Sequence, residues 1–499
     1  MTDASHRDHP ESILVSGCGI AGLGLALAFG GSAHPVTILD RDPPPPDGSP
    51  EDVFATWERR GATQLRHSHV FLGRLTTLIR TRYPALMDEL FREGARVLCF
   101  KDGLSPALKP VYTPAPGDED LQILFSRRTT LESVIRRFVT RFDNIRFVTD
   151  AGVRGLVLQR DASAIRATGL NVEMDGQTQT LSADIVVDAS GRNTNFPDWL
   201  RAEGVEVSEE HSPAGILYFT RHYRLRDGME EPPRDLAPLG GDLGYIKYAV
   251  FPADNRHFSI TLATPDIETN LRTAIMRPEI FQGLCENLIG CKAWVADEIS
   301  VPVSAIYAMG NLESLWRSYL RGGEAQVLNF FAVGDAAVRT NPLYGRGCST
   351  GMVHAHLLKT VLDEIHDPRQ RATVLEQRTH AALRPFYDAM VHQDRAAIRR
   401  ARYERNPQHR PRLRARVTQN FVENGIGPAT RGNMDVARAF SRAFHMIDDP
   451  SGWLKRPDTL MTILSYWARP KAWKQANGLY PPVLGPSRQE MLSKLGLPA

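Results

Sequence analysis

Short apolar runs and amphipathic helical patterns alternate at the start of the chain. Residues 13–16 form a continuous apolar run that is typical of a buried parallel strand. Residues 20–31 follow with a pattern that predicts a helix packed closely on that strand. Residues 35–40 then form a second apolar run that ends in an acid. This order predicts the βαβ opening of a Rossmann-type half.

The same two patterns continue as far as residue 192. Apolar residues recur at helical spacing in 74–95, with a break at Pro84, and again in 127–142. Three strand-like segments come next, and the third is a buried parallel strand that enters a tight turn: 153–160, 169–176 and 183–192. The first part of the chain is therefore predicted to be a layered α/β domain.

The pattern changes near residue 213. From 213 to 310, apolar and polar residues alternate and aromatic residues are frequent, which predicts an antiparallel sheet. Buried-strand character returns at 326–337, and from 366 onward the pattern predicts helices and loops. We therefore predict four segments along the chain: 11–212, 213–310, 311–365 and 366–499.

Composition excludes several classes of protein. The chain has 499 residues, 42% of them hydrophobic and 23% charged, as in ordinary globular proteins, and its net charge of +3 gives no indication of a nucleic-acid partner. Its five cysteines are scattered without a C-x-x-C pair, which favours free thiols over disulfides or a metal site. The polar N-terminus and the lack of a long apolar run predict a soluble cytoplasmic protein without stable membrane insertion.

A glycine loop follows the first strand. Gly17 allows a tight turn, Gly19 lets the backbone approach a pyrophosphate, and Gly22 lets the helix pack on the strand. The helix begins at Ile20 and Ala21, where unpaired N–H groups and partial positive charge favour phosphate. The loop therefore predicts a dinucleotide site.

Two carboxylates narrow the choice of dinucleotide. Asp40 lies 23 residues after Gly17, where a carboxylate accepts hydrogen bonds from a ribose diol. Gly334 and Asp335 follow a late apolar strand, where the carboxylate would reach the ribitol of FAD. The loop after them opens a second helix and contains Pro342, Gly345 and Gly347. Backbone N–H groups near Gly347 and Cys348 would stabilise negative charge on a reduced flavin, so FAD is the predicted cofactor.

Three motifs together resemble those of the FAD-dependent monooxygenase superfamily related to p-hydroxybenzoate hydroxylase, which also includes geranylgeranyl reductases and flavin-dependent halogenases. They are the Gly17 loop, the Asp188–Arg192 turn with Gly191, and the Gly334-Asp335 pair. The resemblance covers roughly residues 11–365. It implies a Rossmann-type FAD-binding domain of the GR2-like kind, with an inserted antiparallel substrate-binding sheet, here followed by a helical C-terminal region.

The resemblance also implies roles for individual residues. Asp40 and Arg41 would meet the adenosine end of FAD, and Arg128 would approach the pyrophosphate or ribitol. Asp335 would bind the ribitol. The residues beside the isoalloxazine would be Pro342, Gly345 and Gly347. The turn at 188–196 reads DASGRNTNF, closer to reductases and halogenases than to single-component hydroxylases.

The implied activity is that of a monooxygenase. It would transfer one oxygen atom from O2, through a flavin C4a-hydroperoxide, to an apolar or aromatic small molecule by hydroxylation or epoxidation. Electrons would come from NADH or NADPH, directly or through a partner flavin reductase. The alternatives are reduction of a polyprenyl-like double bond, halogenation, and a non-redox role for FAD. The tryptophan-halogenase signature W-x-W-x-I-P is absent, and no catalytic residue stands out.

Other residues leave two interpretations open. Four tyrosines on the predicted sheet either pack in the core or face a substrate: Tyr218, Tyr223, Tyr245 and Tyr248. The segment His67-Ser68-His69 either helps to seat the cofactor or is an ordinary polar loop. Apolar positions in the C-terminal region predict helices that dock on the rest of the protein: Phe440, Phe444, Ile447, Leu460, Ile463, Leu464 and Trp467.

Overall fold

A computed structural model describes residues 10–162, 164–234, 237–406, 408 and 410–498. The chain forms two compact units, each built from three separate stretches. The first unit contains the chain up to Leu65, together with Arg128–Ser212 and Glu313–Tyr387. The second unit contains Arg66–Arg127, Pro213–Leu312 and the chain from Asp388 onward.

The strands, in chain order, are β1 (Ile13–Ser16), β2 (Val36–Leu39), β3 (Arg96–Leu98), β4 (Ile123–Phe125), β5 (Ile145–Val148), β6 (Gly152–Arg160), β7 (Ile165–Met174), β8 (Gln177–Ser182), β9 (Ile185–Asp188), β10 (Ser208–Pro213), β11 (Ile216–Leu225), β12 (Gly240–Asp242), β13 (Lys247–Pro252), β14 (His257–Pro265), β15 (Ser300–Pro302), β16 (Tyr307–Met309), β17 (Glu313–Ser318), β18 (Leu320–Arg321), β19 (Glu324–Ala325), β20 (Val327–Leu328), β21 (Phe330–Ala332) and β22 (Val338–Arg339).

The α-helices are α1 (Ile20–Phe29), α2 (Pro50–Thr56), α3 (Gly73–Arg82), α4 (Pro84–Arg92), α5 (Arg128–Val139), α6 (Phe196–Ala202), α7 (Thr269–Ala274), α8 (Pro278–Asn287), α9 (Ile289–Lys292), α10 (Gly347–Glu364), α11 (Pro368–Glu404), α12 (Leu413–Phe421), α13 (Gly427–Gly432), α14 (Met434–Phe444), α15 (Gly452–Lys455), α16 (Pro457–Ala468), α17 (Lys471–Ala476) and α18 (Arg488–Lys494). A π-helical turn, Val422–Ile426, joins α12 to α13.

The first unit is built on a parallel sheet in the order β21-β9-β1-β2-β5. Strand β1 lies in the middle, with Val15 paired to Ile38 on one side and to Val187 on the other. All residues of β1 are buried, which explains the uninterrupted apolar run in the sequence. Helix α1 is also buried along nearly its whole length. The predicted βαβ opening is thus confirmed.

The second unit contains an antiparallel sheet in the order β12-β13-β14-β11-β15, with β16 also paired to β11. One face of this sheet packs in a large apolar cluster with helices α7–α9. The other face carries polar side chains, because Thr220 stands opposite Thr261, and His222 stands opposite Ser259. The predicted antiparallel sheet is confirmed, and period two separates an apolar face from a polar one.

Residues 66–127 belong to the second unit, although the sequence places them with the dinucleotide-binding strands. Two long-range interactions join this segment to the antiparallel sheet. The guanidinium of Arg127 pairs with the buried carboxylate of Asp254, with a 2.6 Å hydrogen bond, and His67 bonds to Thr220. The two helices predicted on either side of Pro84 are confirmed as α3 and α4.

The C-terminal helices bury only part of their apolar surface. Ile463 is fully buried in a cluster with Trp453 and Tyr466. In contrast, Phe440 and Phe444 on α14 are 45% and 42% exposed. Helix α14 still packs on other parts of the chain through Val436, Ala437 and Ala443. The prediction is wrong only for the side chains that stay exposed, because spacing identifies a face of a helix but not how much of it is covered: Phe440, Phe444, Leu460 and Leu464. In the described part of the chain, no helix has the length and apolarity required to cross a bilayer.

Candidate functional site

The glycine loop after β1 combines two crowded positions with one open position. Gly17 has φ +106°, and a Cβ there would lie 2.5 Å from the carbonyl oxygen of Ala189. A Cβ at Gly22 would overlap the carbonyl oxygen of Gly17. A Cβ at Gly19, in contrast, would meet no atom within 4 Å. The loop therefore packs tightly on its protein side and leaves free space at the start of α1.

The first turn of α1 packs against Gly334 and against Gly351 in the second turn of α10. A Cβ at Gly334 would lie 2.7 Å from Cβ of Ala21, and a Cβ at Gly351 would lie 3.5 Å from the same atom. Gly347, the first residue of α10, is open, because the nearest atom to a Cβ there would be Oγ1 of Thr340 at 3.9 Å. The start of α1 thus lies against the second turn of α10, and the unpaired N–H groups at each helix start favour negative charge.

Asp40 is buried at the end of β2 and accepts several hydrogen bonds. Its carboxylate accepts from the backbone N–H groups of Cys18, at 3.2 Å, and Asp42, at 3.0 Å. The guanidinium of Arg59 also donates to Asp40, and it reaches Glu132 at 2.8 Å. Burial raises the pKa of Asp40, and the charge of Arg59 opposes that rise.

Arg59, which the sequence analysis did not single out, is the cation that pairs with Asp40. The side chain of Arg41 is exposed, and that of Arg59 is 4% exposed. The expectation that Arg41 meets the adenosine end of FAD stays a prediction. The sequence signal for Arg59 is weak, because Arg60 stands next to it and neither residue belongs to a recognisable motif.

Arg128, the first residue of α5, joins the ion pairs that link Asp40, Arg59 and Glu132. Its Nε lies 2.7 Å from Glu132, which is fully buried and also pairs with Arg59. Burial raises the pKa of Asp335, and the charges of Arg128 and Arg339 oppose the rise. Burial also raises the pKa of Cys348 to about 11, so its thiol is protonated at neutral pH. Cys348 is therefore not a reactive thiolate.

Asp188 stabilises its own turn. The carboxylate is fully buried and accepts from the backbone N–H of Ser190 at 3.0 Å and from the hydroxyl of Thr194 at 2.6 Å. Gly191 follows with φ +81° and has no atom within 4 Å of a Cβ position. In the Asp188–Arg192 motif, Asp188 therefore stabilises the turn, and Gly191 leaves its backbone accessible.

The four tyrosines of the sheet occupy different environments. Tyr223 stacks on Phe258, with ring centroids 5.2 Å apart, and Tyr248 lies in the same apolar cluster. Tyr218 is buried in a smaller cluster, so the structure places these three rings in cores. Tyr245 lines a cleft of about 510 Å³ and donates to the carbonyl oxygen of Pro486 at 2.9 Å.

The residues of the first unit fit FAD. Open backbone at Gly19 and Gly347 lies at two helix N-termini, as phosphate and a reduced flavin require. Asp40 and Asp335 are carboxylates that would accept hydrogen bonds from the ribose and ribitol hydroxyls, and Arg128 is a cation at the start of α5. No group of three or more His, Cys, Asp or Glu residues in the described ranges is placed to hold a metal ion.

Comparisons with known proteins agree with this fold. No family model matches the chain. Protein Rv3254 of Mycobacterium tuberculosis is 25% identical over 374 residues, which cover 71% of this chain and 73% of that protein.

Two solved structures show the same architecture. The p-nitrophenol 4-monooxygenase PnpA from Pseudomonas putida DLL-E4 aligns with a TM-score of 0.56 and 14% identity, over 88% of this chain and 99% of PnpA. The myxobacterial chondrochloren halogenase CndH, an FAD-dependent halogenase, aligns with a TM-score of 0.55 and 17% identity, over 95% of this chain and 100% of CndH. The chain thus shares the fold of a monooxygenase and of an FAD-dependent halogenase.

Proposed function

We propose that the protein is an FAD-dependent oxidoreductase, and that it acts as a monooxygenase on an apolar or aromatic small molecule by hydroxylation or epoxidation. The observation that carries this proposal is the close packing of α10 on the start of α1, which leaves both helix starts open. Gly334 and Gly351 pack on Ala21, while Gly19 and Gly347 leave open backbone at the two helix starts. This arrangement provides one anion-favouring region for phosphate and a second for the flavin ring.

Each part of the cofactor has a partner of suitable chemistry in the first unit. The carboxylate of Asp40 accepts hydrogen bonds from the adenosine ribose, and Arg59 holds that carboxylate in place. The N–H groups at the start of α1 bind the pyrophosphate, with Arg128 as a nearby cation. Asp335 accepts from the ribitol hydroxyls, and the N–H groups at Gly347 and Cys348 stabilise negative charge on the flavin.

Bound FAD supplies the two-electron transfer and the activation of O2 that these side chains cannot perform. The protein's own contribution is to bind, orient and exclude water. The burial of Asp40, Glu132 and Cys348 supports the exclusion of water. NADH or NADPH is the proposed electron donor, either directly or through a partner flavin reductase.

Oxygen uptake tests the monooxygenase proposal. The FAD-loaded protein is mixed with NADH or NADPH and a panel of aromatic small molecules, with and without an added flavin reductase. We expect O2 consumption that is matched by an oxygenated product carrying label from ¹⁸O2. Anaerobic turnover that yields a reduced product would instead show a reductase and would overturn the proposal.

A further inference from the structure

A cleft of about 510 Å³ lies entirely within the second unit. Its walls come from four stretches that are far apart in the chain. They are the end of β12 with the turn after it, the connection from β14 to α7, the end of α11, and the segment that leads into α18. None of the residues proposed to hold FAD lines this cleft. The cleft is therefore a second candidate site, with chemistry of its own.

A buried carboxylate lies in one wall of the cleft. The side chain of Glu268 is 1% exposed, and it accepts from Nε and Nη2 of Arg488 at 2.9 Å and 3.0 Å. The guanidinium of Arg405 also donates to Glu268 and to the carbonyl oxygen of Ile267. Burial alone would raise the pKa of Glu268, but hydrogen bonds from the two arginines hold that pKa below its usual value. Glu268 is therefore ionised at neutral pH, and it fixes two guanidinium groups at the cleft.

Both guanidinium groups stay accessible although Glu268 holds them. The side chain of Arg405 is 35% exposed and that of Arg488 is 32% exposed. A guanidinium group has more N–H donors than one carboxylate can use. Nη1 of Arg488 and Nε of Arg405 make no hydrogen bond to any residue that the structure describes. Each arginine therefore has donors left for a ligand in the cleft.

The other carboxylates at the cleft have partners of their own. Asp242 accepts from Arg400 at 2.9 Å and also from Lys247. Glu404 pairs with the same arginine, with Nε of Arg400 at 3.3 Å. The carboxylate of Glu490 accepts from the backbone N–H at the N-cap of α18. At the buried carboxylate, in contrast, two guanidinium groups share one negative charge, so this wall carries an excess of positive charge.

The cleft also has apolar surface. Three of its side chains pack on the large apolar cluster of the antiparallel sheet: Leu243, Tyr245 and Leu484. The hydroxyl of Tyr245 donates to the carbonyl oxygen of Pro486 at 2.9 Å, which fixes the orientation of the ring. An apolar group in the cleft would thus meet side chains that the core already holds in place.

We propose that this cleft binds a small organic anion, whose carboxylate or phosphate group pairs with Arg405 and Arg488 and whose apolar body packs on Tyr245. The planar guanidinium group matches both of these headgroups through paired hydrogen bonds. Because Glu268 holds the two arginines in place before the ligand arrives, binding costs little side-chain entropy. The inference does not rest on the proposed function, since the cleft contains none of the residues proposed to hold FAD.

Calorimetry with benzoate, phenyl phosphate and benzyl alcohol tests for the site. All three molecules carry the same ring, but only the first two carry negative charge. With the full-length protein and FAD in excess, we expect at least one anion to bind about tenfold or more tightly than benzyl alcohol. A preference between the two anions identifies the headgroup. If the ion pairs only fasten α11 and α18 to the sheet, neither anion will bind more tightly than the alcohol, and the proposal is overturned.

Two variants locate the binding. Arg488→Gln and Arg405→Gln each remove one guanidinium group and leave the other to pair with Glu268, so each can be read if the other folds poorly. We expect each to weaken the binding of the anion about tenfold, and to change the binding of benzyl alcohol much less. Arg456→Gln is the matched control, because its ion pair with Asp458 is exposed and lies outside the cleft. Unchanged anion affinity in the two cleft variants would contradict the site.

Chemical modification gives a second measurement that needs no variant. Phenylglyoxal reacts with accessible guanidinium groups, and mass spectrometry of the peptides reports each arginine separately. At an anion concentration equal to the Kd, we expect the modification of Arg405 and Arg488 to slow about twofold, and that of Arg456 to stay unchanged. Equal slowing at all three arginines, or none, would overturn the proposal. Both measurements can be made whether or not the protein takes up FAD, so failure of this site and failure of the proposed function are distinguishable.

Discussion

The α-carbon of Gly22 packs directly against the carbonyl group of Gly17, so that a methyl group at Gly22 would overlap the Gly17 oxygen. This contact closes the turn between β1 and α1 and brings the helix start against the strand. The Gly17 oxygen belongs to the backbone rather than to a flexible side chain. The loop therefore cannot shift easily to make room for a methyl group at Gly22.

Gly22→Ala should therefore destabilise the protein with or without FAD. Overpacking of this kind costs about 1–3 kcal/mol in the free energy of unfolding. Chemical denaturation of the FAD-free protein measures it. A variant as stable as the parent would show that the loop is more plastic than its packing implies.

Gly19→Ala should leave the stability of the FAD-free protein unchanged but weaken the binding of FAD. Gly19 has φ −80°, which alanine adopts without strain, and a Cβ there meets no atom of the protein. We expect the FAD-free variant to unfold at the same denaturant concentration as the parent, while its affinity for FAD falls at least tenfold because the methyl group occupies the space at the helix start. Equal FAD affinity in the two proteins would place the pyrophosphate elsewhere.

Glu132→Gln should be strongly destabilising. The fully buried carboxylate of Glu132 pairs with Arg59 at 2.8 Å and with Arg128 at 2.7 Å. Removing its charge leaves two buried guanidinium groups undercompensated, at a cost of about 3–5 kcal/mol. Glu173→Gln is the matched control, because the pair it forms with Arg154 is exposed and should contribute less than about 1 kcal/mol. If both variants lost a similar amount of free energy of unfolding, burial would not be what makes the Glu132 ion pairs important.

Acid should weaken the fold through its buried histidines. Burial lowers the pKa of His67, His354 and His445 to about 4, and that of His222 to about 3. An unfolded histidine titrates near pH 6.5, so between about pH 6.5 and pH 4 the unfolded chain binds more protons. The free energy of unfolding therefore falls as the pH falls, by up to about 1.4 kcal/mol per pH unit for each histidine.

Denaturation at several pH values checks this dependence. His354→Gln, which cannot take up the proton, should show a shallower decline than the parent. Stability that stays level or rises on acidification through this range would contradict the burial of these rings.

The parts of the site that are contiguous in sequence could be predicted. The glycines from Gly17 to Gly22, and Asp40 at the end of the next strand, are local features whose backbone requirements are visible in the residue types. The ion pair between Arg59 and Asp40 could not be predicted from the sequence, because a loop and helix α2 separate the two residues. Nothing in the sequence distinguishes Arg59 from Arg60 beside it.

Sheet faces were predictable only in part. Period two separates Thr220 from Tyr223 on β11, but which face is covered depends on helices α7–α9, which lie more than 40 residues further along the chain. The hydrogen bond between His67 and Thr220 depends on the same tertiary information, because residues 66–127 join this sheet from a distant part of the sequence.

FAD uptake tests the central claim most directly. The purified protein is stripped of any flavin and titrated with FAD, with calorimetry and flavin absorbance as the two readouts, alongside Gly19→Ala. We predict that one FAD binds per chain, that the protein becomes yellow, and that the variant binds at least tenfold more weakly. A colourless protein that takes up no FAD, or equal uptake by parent and variant, would contradict it.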